Sequence, residues 1–350
     1  MVFWIPSLLR PRKKSGEGFW SRFSVVDFTL RMVWKKRERE LKGEIMRTDV
    51  FVQVFSKTRE EGLMEEDLDR AFRMFRDFES RFSRFREGNE LSDLNRSSVC
   101  RVSGDLFEIL SLCRKYYEET GGVFDPAVLP ILEQEGYRAS FGTEHFGIPS
   151  KEKIVRRYDF SDLQMDRATL TVSKPIGCRI DLGGIGKGYA VGRVSQMLAE
   201  SYRDFIVDAG GDIYVAGRNR MTRFPYFAID IENAFRKDES AGLLLLSGQA
   251  VATSGVNRRR WQRDGQEKSH LIDVEKGGSV SGDILTVTVV DPSPVRADIM
   301  AKTLCILGRK KGMLLAQKNR LPALFLLKDG TMEVNEFMKP YVWEDDAFFL

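Results

Sequence analysis

Residues 49–55 (DVFVQVF) alternate and are rich in β-branched side chains, which predicts a strand. The period then changes. Leu68, Phe72, Phe75, Phe78, Phe82 and Phe85 follow at spacings of 4, 3, 3, 4 and 3, which is one face of an α-helix. Glu65, Glu66 and Asp67 fall in its predicted first turn, where carboxylates complement the helix dipole. Ser83, Arg86, Ser92 and Asn95 near its end read as solvated polar groups or a pocket rim. A second helix over residues 106–117 is stopped by Gly121-Gly122. Residues 138–160 are polar and broken by Gly142, Gly147 and Pro149; they read as an inserted loop with a short helix capped by Ser150. From residue 205 the pattern is mainly β, with strands at 205–208, 212–216, 226–231, 243–246, 249–253 and 284–290. A helix over 296–307 carries Asp298 in its first turn, breaks at Gly308 and resumes to Lys318. Residues 321–327 form the last strand. The sum is an α+β chain with a mixed, largely antiparallel sheet and packed helices.

Composition narrows the class. The chain has 350 residues, 42% of them apolar and 30% charged, as expected of a protein with a sizeable core. A net charge of +4 is too small to point to nucleic acid. That charge is concentrated: residues 1–43 hold 11 Lys and Arg against 4 Asp and Glu. This segment reads as a mobile basic extension, or as one that lies on a membrane surface or an acidic partner. Its short apolar stretch precedes its basic cluster, the reverse of a secretory signal. No run of about 18 apolar residues predicts a membrane span. Cys100, Cys113, Cys178 and Cys305 include no C-x-x-C pair, and with two histidines a zinc site is not expected. Cys113 and Cys305 sit on apolar helical faces and are assigned to the core.

Candidate chemistry centres on residues 181–193, DLGGIGKGYAVGR. Four glycines, at 183, 184, 186 and 188, surround Lys187, and a helical pattern begins there. Glycines let backbone close on a ligand, and a helix start offers free N–H groups with a positive dipole end. The stretch suits a phosphate-bearing ligand, although a glycine-rich corner serves close packing equally well. It is neither of two common phosphate motifs. A P-loop needs a glycine six positions before the lysine and a hydroxyl residue after it, but Asp181 and Gly188 stand there. The dinucleotide fingerprint needs G-x-G-x-x-G, and these glycines give G-x-G-x-G. Other polar signals fall at predicted strand ends and turns: Asp125 before Pro126, His270 with Asp273 nearby, and Asp298. For Asp298 the bland reading is a helix cap, and for His270 a satisfied core or edge imidazole. Near-neutral titration also suits His270 to general-base work.

Seven blocks, in order, resemble the flavin transferases of the ApbE type, the FAD:protein FMN transferases. They are FSRFREGNELSDLN (82–95), GGVFDPAVLPILEQEGY (121–137), IDLGGIGKGYAVGRV (180–194), FIVDAGGDIYVAGR (205–218), ATSGVNRR (252–259), SHLIDVEKGG (269–278) and ADIMAKTLCILG (297–308). The resemblance covers about residues 45–330 and implies a single domain of T-fold type over 44–335, between the basic extension and a tail at 336–350. It implies FAD as substrate, Mg²⁺ as cofactor, and transfer of FMN to a Ser or Thr hydroxyl of an acceptor flavoprotein with release of AMP. Residues matching flavin-contacting positions are Met46, Phe85, Val123, Phe124, Asp125, Asp181, Lys187 and Ile272. His270 matches the histidine that would take the hydroxyl proton. The Gly184 carbonyl and the Asp298 carboxylate match the metal positions.

The chain departs from the family pattern at one telling place. A threonine usually stands four residues after the metal-binding aspartate, and here Lys302 does. Thr303 lies about 100° further round the helix and cannot simply substitute. An ammonium at 302 would repel the ion or take its place on the pyrophosphate. Ala127 and Gly192 also replace a hydroxyl residue and an aspartate common in the family. A non-catalytic FAD-binding paralogue and an FAD pyrophosphatase are therefore alternative readings. Many relatives carry an early cysteine for lipid attachment. No cysteine precedes Cys100, so the expectation is a cytoplasmic protein, with peripheral membrane contact through residues 1–43.

Overall fold

A computed structural model describes residues 37–139, 158–221, 225–236, 239–263 and 265–343. Eight strands form its main sheet: β1 (Arg37–Ile45), β2 (Thr48–Ser56), β3 (Asp204–Ala209), β4 (Asp212–Ala216), β5 (Gln249–Gly255), β6 (Ile284–Asp291), β7 (Ala323–Leu327) and β8 (Met332–Val334). They lie side by side in chain order, and every neighbouring pair is antiparallel. The sheet is thus a meander, and the helices arrive as insertions between its strands. The four longest are α1 (Glu61–Phe82), α2 (Gly104–Glu119), α3 (Gly186–Ala199) and α4 (Pro294–Lys318).

The pattern of β2 explains the layering. Val50, Val52 and Val54 face a core shared with α1, α2 and α3. Phe51 and Phe55 face the opposite side, which is covered by the hairpin Phe227–Glu232 with Ser240–Leu246. A strand buried on both faces reads as a nearly continuous apolar run. Helix α4 packs on β5 and β6 through Met300, Ala301, Leu304 and Cys305. Cys113 and Cys305 are fully buried, as assigned.

Several sequence expectations shift. Residues 37–43, assigned to the extension, pair along β2 and begin the sheet. Helix α1 starts at Glu61, so Glu65, Glu66 and Asp67 lie beyond its first turn; Asp67 instead pairs with Arg59. The helix stops at Phe82, not Phe85. Asn89 caps its end, donating to the carbonyls of Ser80 at 3.2 Å and Ser83 at 2.8 Å. Phe85 therefore leaves the helical stripe and is 41% exposed. Ser92 and Asn95 are not simply solvated. Ser92 completes a capping box with Asn89. Asn95 holds the backbone of Ile180 from both sides, at 2.9 and 2.7 Å. That clamp, with the Asp181 N–H donating to Pro126 O at 2.8 Å, fixes the segment before the glycines, which belongs to no sheet. Asp298 does not cap α4; Ser293 does. The expected helix capped by Ser150 and the extension up to residue 36 lie outside the described residues.

Two tight turns meet at one end of the sheet. Met46-Arg47 joins β1 to β2 and Gly210-Gly211 joins β3 to β4, all four residues at positive φ. Two-residue turns of this hand suit the twist of antiparallel strands. The Gly210 N–H donates to Asp49 O at 2.9 Å, and a Cβ on Gly210 would stand 1.9 Å from Thr48 Oγ1. Met46 and Arg47 hold φ of 56° and 54° without being glycine, at a cost of order 1 kcal/mol each.

Helices α3 and α4 touch at Gly188. A Cβ there would lie 2.7 Å from Pro294 O and 2.8 Å from Asp298 Cβ. Gly192, one turn on, has only Pro294 Cγ at 4.0 Å. Alanine favours a helix interior by about 1 kcal/mol over glycine. We expect Gly192→Ala to raise stability by about 0.5–1 kcal/mol. Gly188→Ala should instead lower it by about 2 kcal/mol or more, because backbone must move. Urea midpoints of the two variants check the contrast; a stabilised Gly188→Ala would contradict the packing.

Candidate active site

The residues singled out in the sequence gather in two groups that meet at Asp181. The first surrounds the start of α3. The Gly188 N–H donates to Asp298 Oδ2 at 3.1 Å, and Asp298 is wholly buried. Asp298 Oδ1 is ion-paired with the Lys302 ammonium one helical turn on. Gly184 faces the same side chain: a Cβ there would lie 3.0 Å from the Phe124 ring and 3.9 Å from Lys302 Cδ. Lys187 is ion-paired with Asp212, the buried first residue of β4. The Met46 side chain reaches this turn, its Cε 3.9 Å from where a Gly186 Cβ would stand.

The second group is aromatic. Phe85 packs on Tyr137 and Tyr137 on Trp261, each with ring centroids 5.8 Å apart. Ile272 closes this cluster with Ile131 and Leu132. The Arg84 guanidinium lies over Phe85 and Tyr137, at 4.1 and 4.6 Å from the centroids. It also bonds Asp181 Oδ2 at 2.7 Å and donates to Tyr137 O at 2.7 Å. Asp181 accepts the Gly183 N–H at 2.9 Å, linking the aromatic wall to the glycine turn. Asp125 is buried and caps the turn Pro126–Val128 by accepting the Ala127 N–H at 2.7 Å. Its neighbour Val123 is half-buried.

Charge in the cleft is concentrated and nearly balanced. Burial pushes the Asp212 carboxyl up, and Asp298 adds to this, while Lys187 and Lys302 pull it back. Burial alone would lower Lys187, but Asp212 and Asp298 outweigh it and hold its pKa above the ordinary lysine value. Two carboxylates thus sit between two ammonium groups. The Arg259 carbonyl accepts the His270 N–H at 3.3 Å, and the Arg259 charge opposes protonation of that ring. His270 is half-buried, and its Nδ1 is sealed from water without a hydrogen-bond partner among the described residues. Burial, then the charges of Arg259 and Lys302, push its pKa down to about 3. The imidazole is neutral at pH 7, and a polyanionic ligand that offsets Arg259 and Lys302 would raise its pKa toward the range of a general base.

The donor set does not fit the divalent ion expected at Gly184 and Asp298. Asp298 already has a hydrogen bond on one oxygen and an ammonium on the other. Thr303 cannot help, since its hydroxyl donates to Ile299 O at 2.9 Å within the helix. Among the described residues, no three His, Cys, Asp or Glu side chains gather as a ligand set. Sequence reasoning missed Arg84, Tyr137, Asp212, Arg259 and Trp261 as parts of this site. All but Trp261 lay inside or at the edge of the matched blocks, but one-dimensional pattern does not reveal whom they face.

An antiparallel meander with helices inserted between its strands, and a glycine-rich helix start beside two buried carboxylate–lysine pairs, defines an α+β protein of this architecture. The ApbE family model matches residues 46–325, and the chain belongs to that family. It is 28% identical over 280 residues to an FAD:protein FMN transferase of Vibrio cholerae, covering 77% of this chain and 83% of that one. A protein of the same name from Treponema pallidum is 26% identical over 321 residues, covering 85% and 87%. The crystal structure of the ApbE protein of Thermotoga maritima superposes with a TM-score of 0.78 at 24% identity, covering 88% of this chain and all of that one. The flavin transferase ApbE of Vibrio cholerae gives 0.71 at 23% identity, covering 87% and 99%.

Two outcomes follow from the electrostatics. The Arg84 and Asp181 side chains are 5% and 12% exposed. Replacing one partner of a buried pair leaves the other charge uncompensated, so Arg84→Met should cost about 3 kcal/mol. The double variant Arg84→Met/Asp181→Asn should recover much of that loss in urea unfolding; equal losses would contradict the coupling. For His270, the folded pKa lies below the unfolded value of about 6.5. Below pH 6.5 the unfolded chain therefore binds a proton that the folded chain refuses, and stability falls with pH. His270→Gln should flatten unfolding midpoints measured between pH 7.5 and 5 relative to the parent. The opposite contribution of Asp208, raised to about 6 by burial, is common to both proteins.

Proposed function

We propose that the chain is an FAD:protein FMN transferase. The observation that carries this reading is the α3 glycine turn meeting two carboxylate-held cations, Lys187 and Lys302. Its relatives bear that activity in their names. The isoalloxazine would lie against the aromatic wall of Phe85, Tyr137 and Ile272, with Met46, Val123, Phe124, Asp125 and Asp181 shaping the approach to the glycine turn. Its pyrophosphate would lie on that turn beside Lys187.

The step itself is a phosphoryl displacement. The acceptor Ser or Thr oxygen forms a bond to the phosphorus on the FMN side. The P–O bond to the bridging oxygen breaks, and AMP leaves with that oxygen. The hydroxyl proton passes to the neutral His270 ring and then to solvent. Fixed cations and turn amides offset the charge that develops on the phosphoryl oxygens. Water in place of the hydroxyl would give FMN and AMP. Magnesium, implied by the family resemblance, is given no step, because the residues at its expected place do not fit it.

The domain is assigned to begin at β1, before residue 44, with a basic extension ahead of it and a tail from 336. No helix among the described residues is long and apolar enough to cross a membrane. A cytoplasmic location with peripheral contact through the basic extension is part of the same proposal.

Incubation of the full chain with FAD and an acceptor flavoprotein carrying a Ser or Thr site tests the reading. Covalent fluorescence on the acceptor with stoichiometric AMP is expected. Intact bound FAD without AMP would mean a binding protein, and AMP with an unlabelled acceptor would mean a pyrophosphatase. His270→Ala should slow transfer by about 10²-fold or more while FAD affinity stays within a few-fold. Loss of binding together with transfer would remove His270 from the role of base.

A further inference from the structure

We infer that Lys302 is the resident cation of the pyrophosphate site, so that this chain handles FAD without a divalent metal. This rests on the FAD-dependent reading above and refines it.

Asp298 and Lys302 are four residues apart on α4, so their side chains share one face. They are ion-paired, and the Asp298 partner is wholly buried. The Lys302 stem runs past Gly184, with Cδ 3.9 Å from where a Cβ would stand. The ammonium is thus held by Asp298, and its stem by the turn whose carbonyl was expected to bind an ion. Its charge lowers the pKa of both Asp212 and His270.

The chemistry of an ammonium suits this place. It carries three N–H donors. Asp298 Oδ1 takes one, which leaves two for phosphoryl oxygens. A divalent ion at the same point would have to displace Lys302 from a buried carboxylate and then sit between Lys302 and Lys187. No hydroxyl compensates, because Thr303 is bonded to Ile299 O. One unit of fixed charge is less than two, and the free N–H groups at the start of α3 add to it.

Flavin fluorescence titrations of the chelator-treated full chain decide the matter. FAD affinity in EDTA should lie within about 3-fold of its value in Mg²⁺, and calorimetric titration of Mg²⁺ alone into the protein should show no site. Lys302→Met removes a charge-assisted contact worth about 1.5–3 kcal/mol and should weaken FAD binding about 10- to 100-fold in both buffers. Lys302→Thr should create Mg²⁺ binding and make FAD affinity rise at least about 10-fold when Mg²⁺ is added, as one such contact predicts. A parent protein that binds FAD more than 10-fold tighter with Mg²⁺ would overturn the inference while leaving the FAD-dependent reading intact. Lys302→Met binding FAD as tightly as the parent would do the same, as would a folded Lys302→Thr that binds FAD but no Mg²⁺. Failure of the parent to bind FAD in either buffer would end both. The parent comparison stands even if a variant does not fold.

Discussion

The carboxylate of Asp298 is the constraint on which the rest of the cleft depends. It is wholly buried, and its two oxygens are satisfied from two different elements, the first turn of α3 and the next turn of α4. A buried carboxylate without partners costs several kcal/mol, so these contacts are obligatory. They require the Gly188 N–H to approach Asp298 closely, and only a residue without Cβ permits that approach. Gly188 therefore fixes the distance between two helices, and that distance sets where the glycine turn opens. The anion cradle and the helix packing are consequences of one contact, which is why neither the phosphate-cradle nor the close-packing explanation of the glycines excludes the other.

The electrostatics extend the same logic across the cleft. Lys187 compensates Asp212 as Lys302 compensates Asp298, so four charges are buried as two pairs. Each pair also acts on the other, since Asp298 raises both Asp212 and Lys187. A buried network of this kind is stable only when every member is present. It also settles the state of His270, whose neighbours Arg259, Lys302 and Lys187 all oppose a proton on the ring. The cations that suit an anionic ligand thereby keep the imidazole neutral.

Much of this was legible in sequence, and the limits are physical. The phenylalanine spacing gave α1 its register because one helix face must be buried. It misplaced Phe85 because Asn89, reaching back to the carbonyls at the helix end, stops the helix at Phe82. The glycine cluster pointed to the cleft because several of those glycines are sterically required. Asp298 was read by default as a cap because it lies near a helix start, whereas its true partner is 110 residues away. Arg84 was invisible for the same reason: its partner Asp181 is brought to it by the Asn95 clamp on Ile180, a long-range bond that no periodicity encodes. Local pattern reports which face is buried; it does not report pairings between elements.

Lys302 shows how one substitution redistributes a site without altering its scaffold. An i,i+4 aspartate and threonine on one helix face make two oxygen donors for an exchangeable ion. An i,i+4 aspartate and lysine make a neutral pair in which the cation is covalently part of the protein. The helix, the glycine turn and the Asp298 hydrogen bond to Gly188 serve either arrangement equally. What differs is charge and occupancy. A bound divalent ion beside one carboxylate leaves a net +1 that depends on ion concentration, whereas the lysine pair is neutral and always present. The Lys302 N–H groups left free by Asp298 can still donate to a pyrophosphate, and the α3 amides add to that attraction. The site keeps its anion chemistry by moving positive charge from solution into the chain.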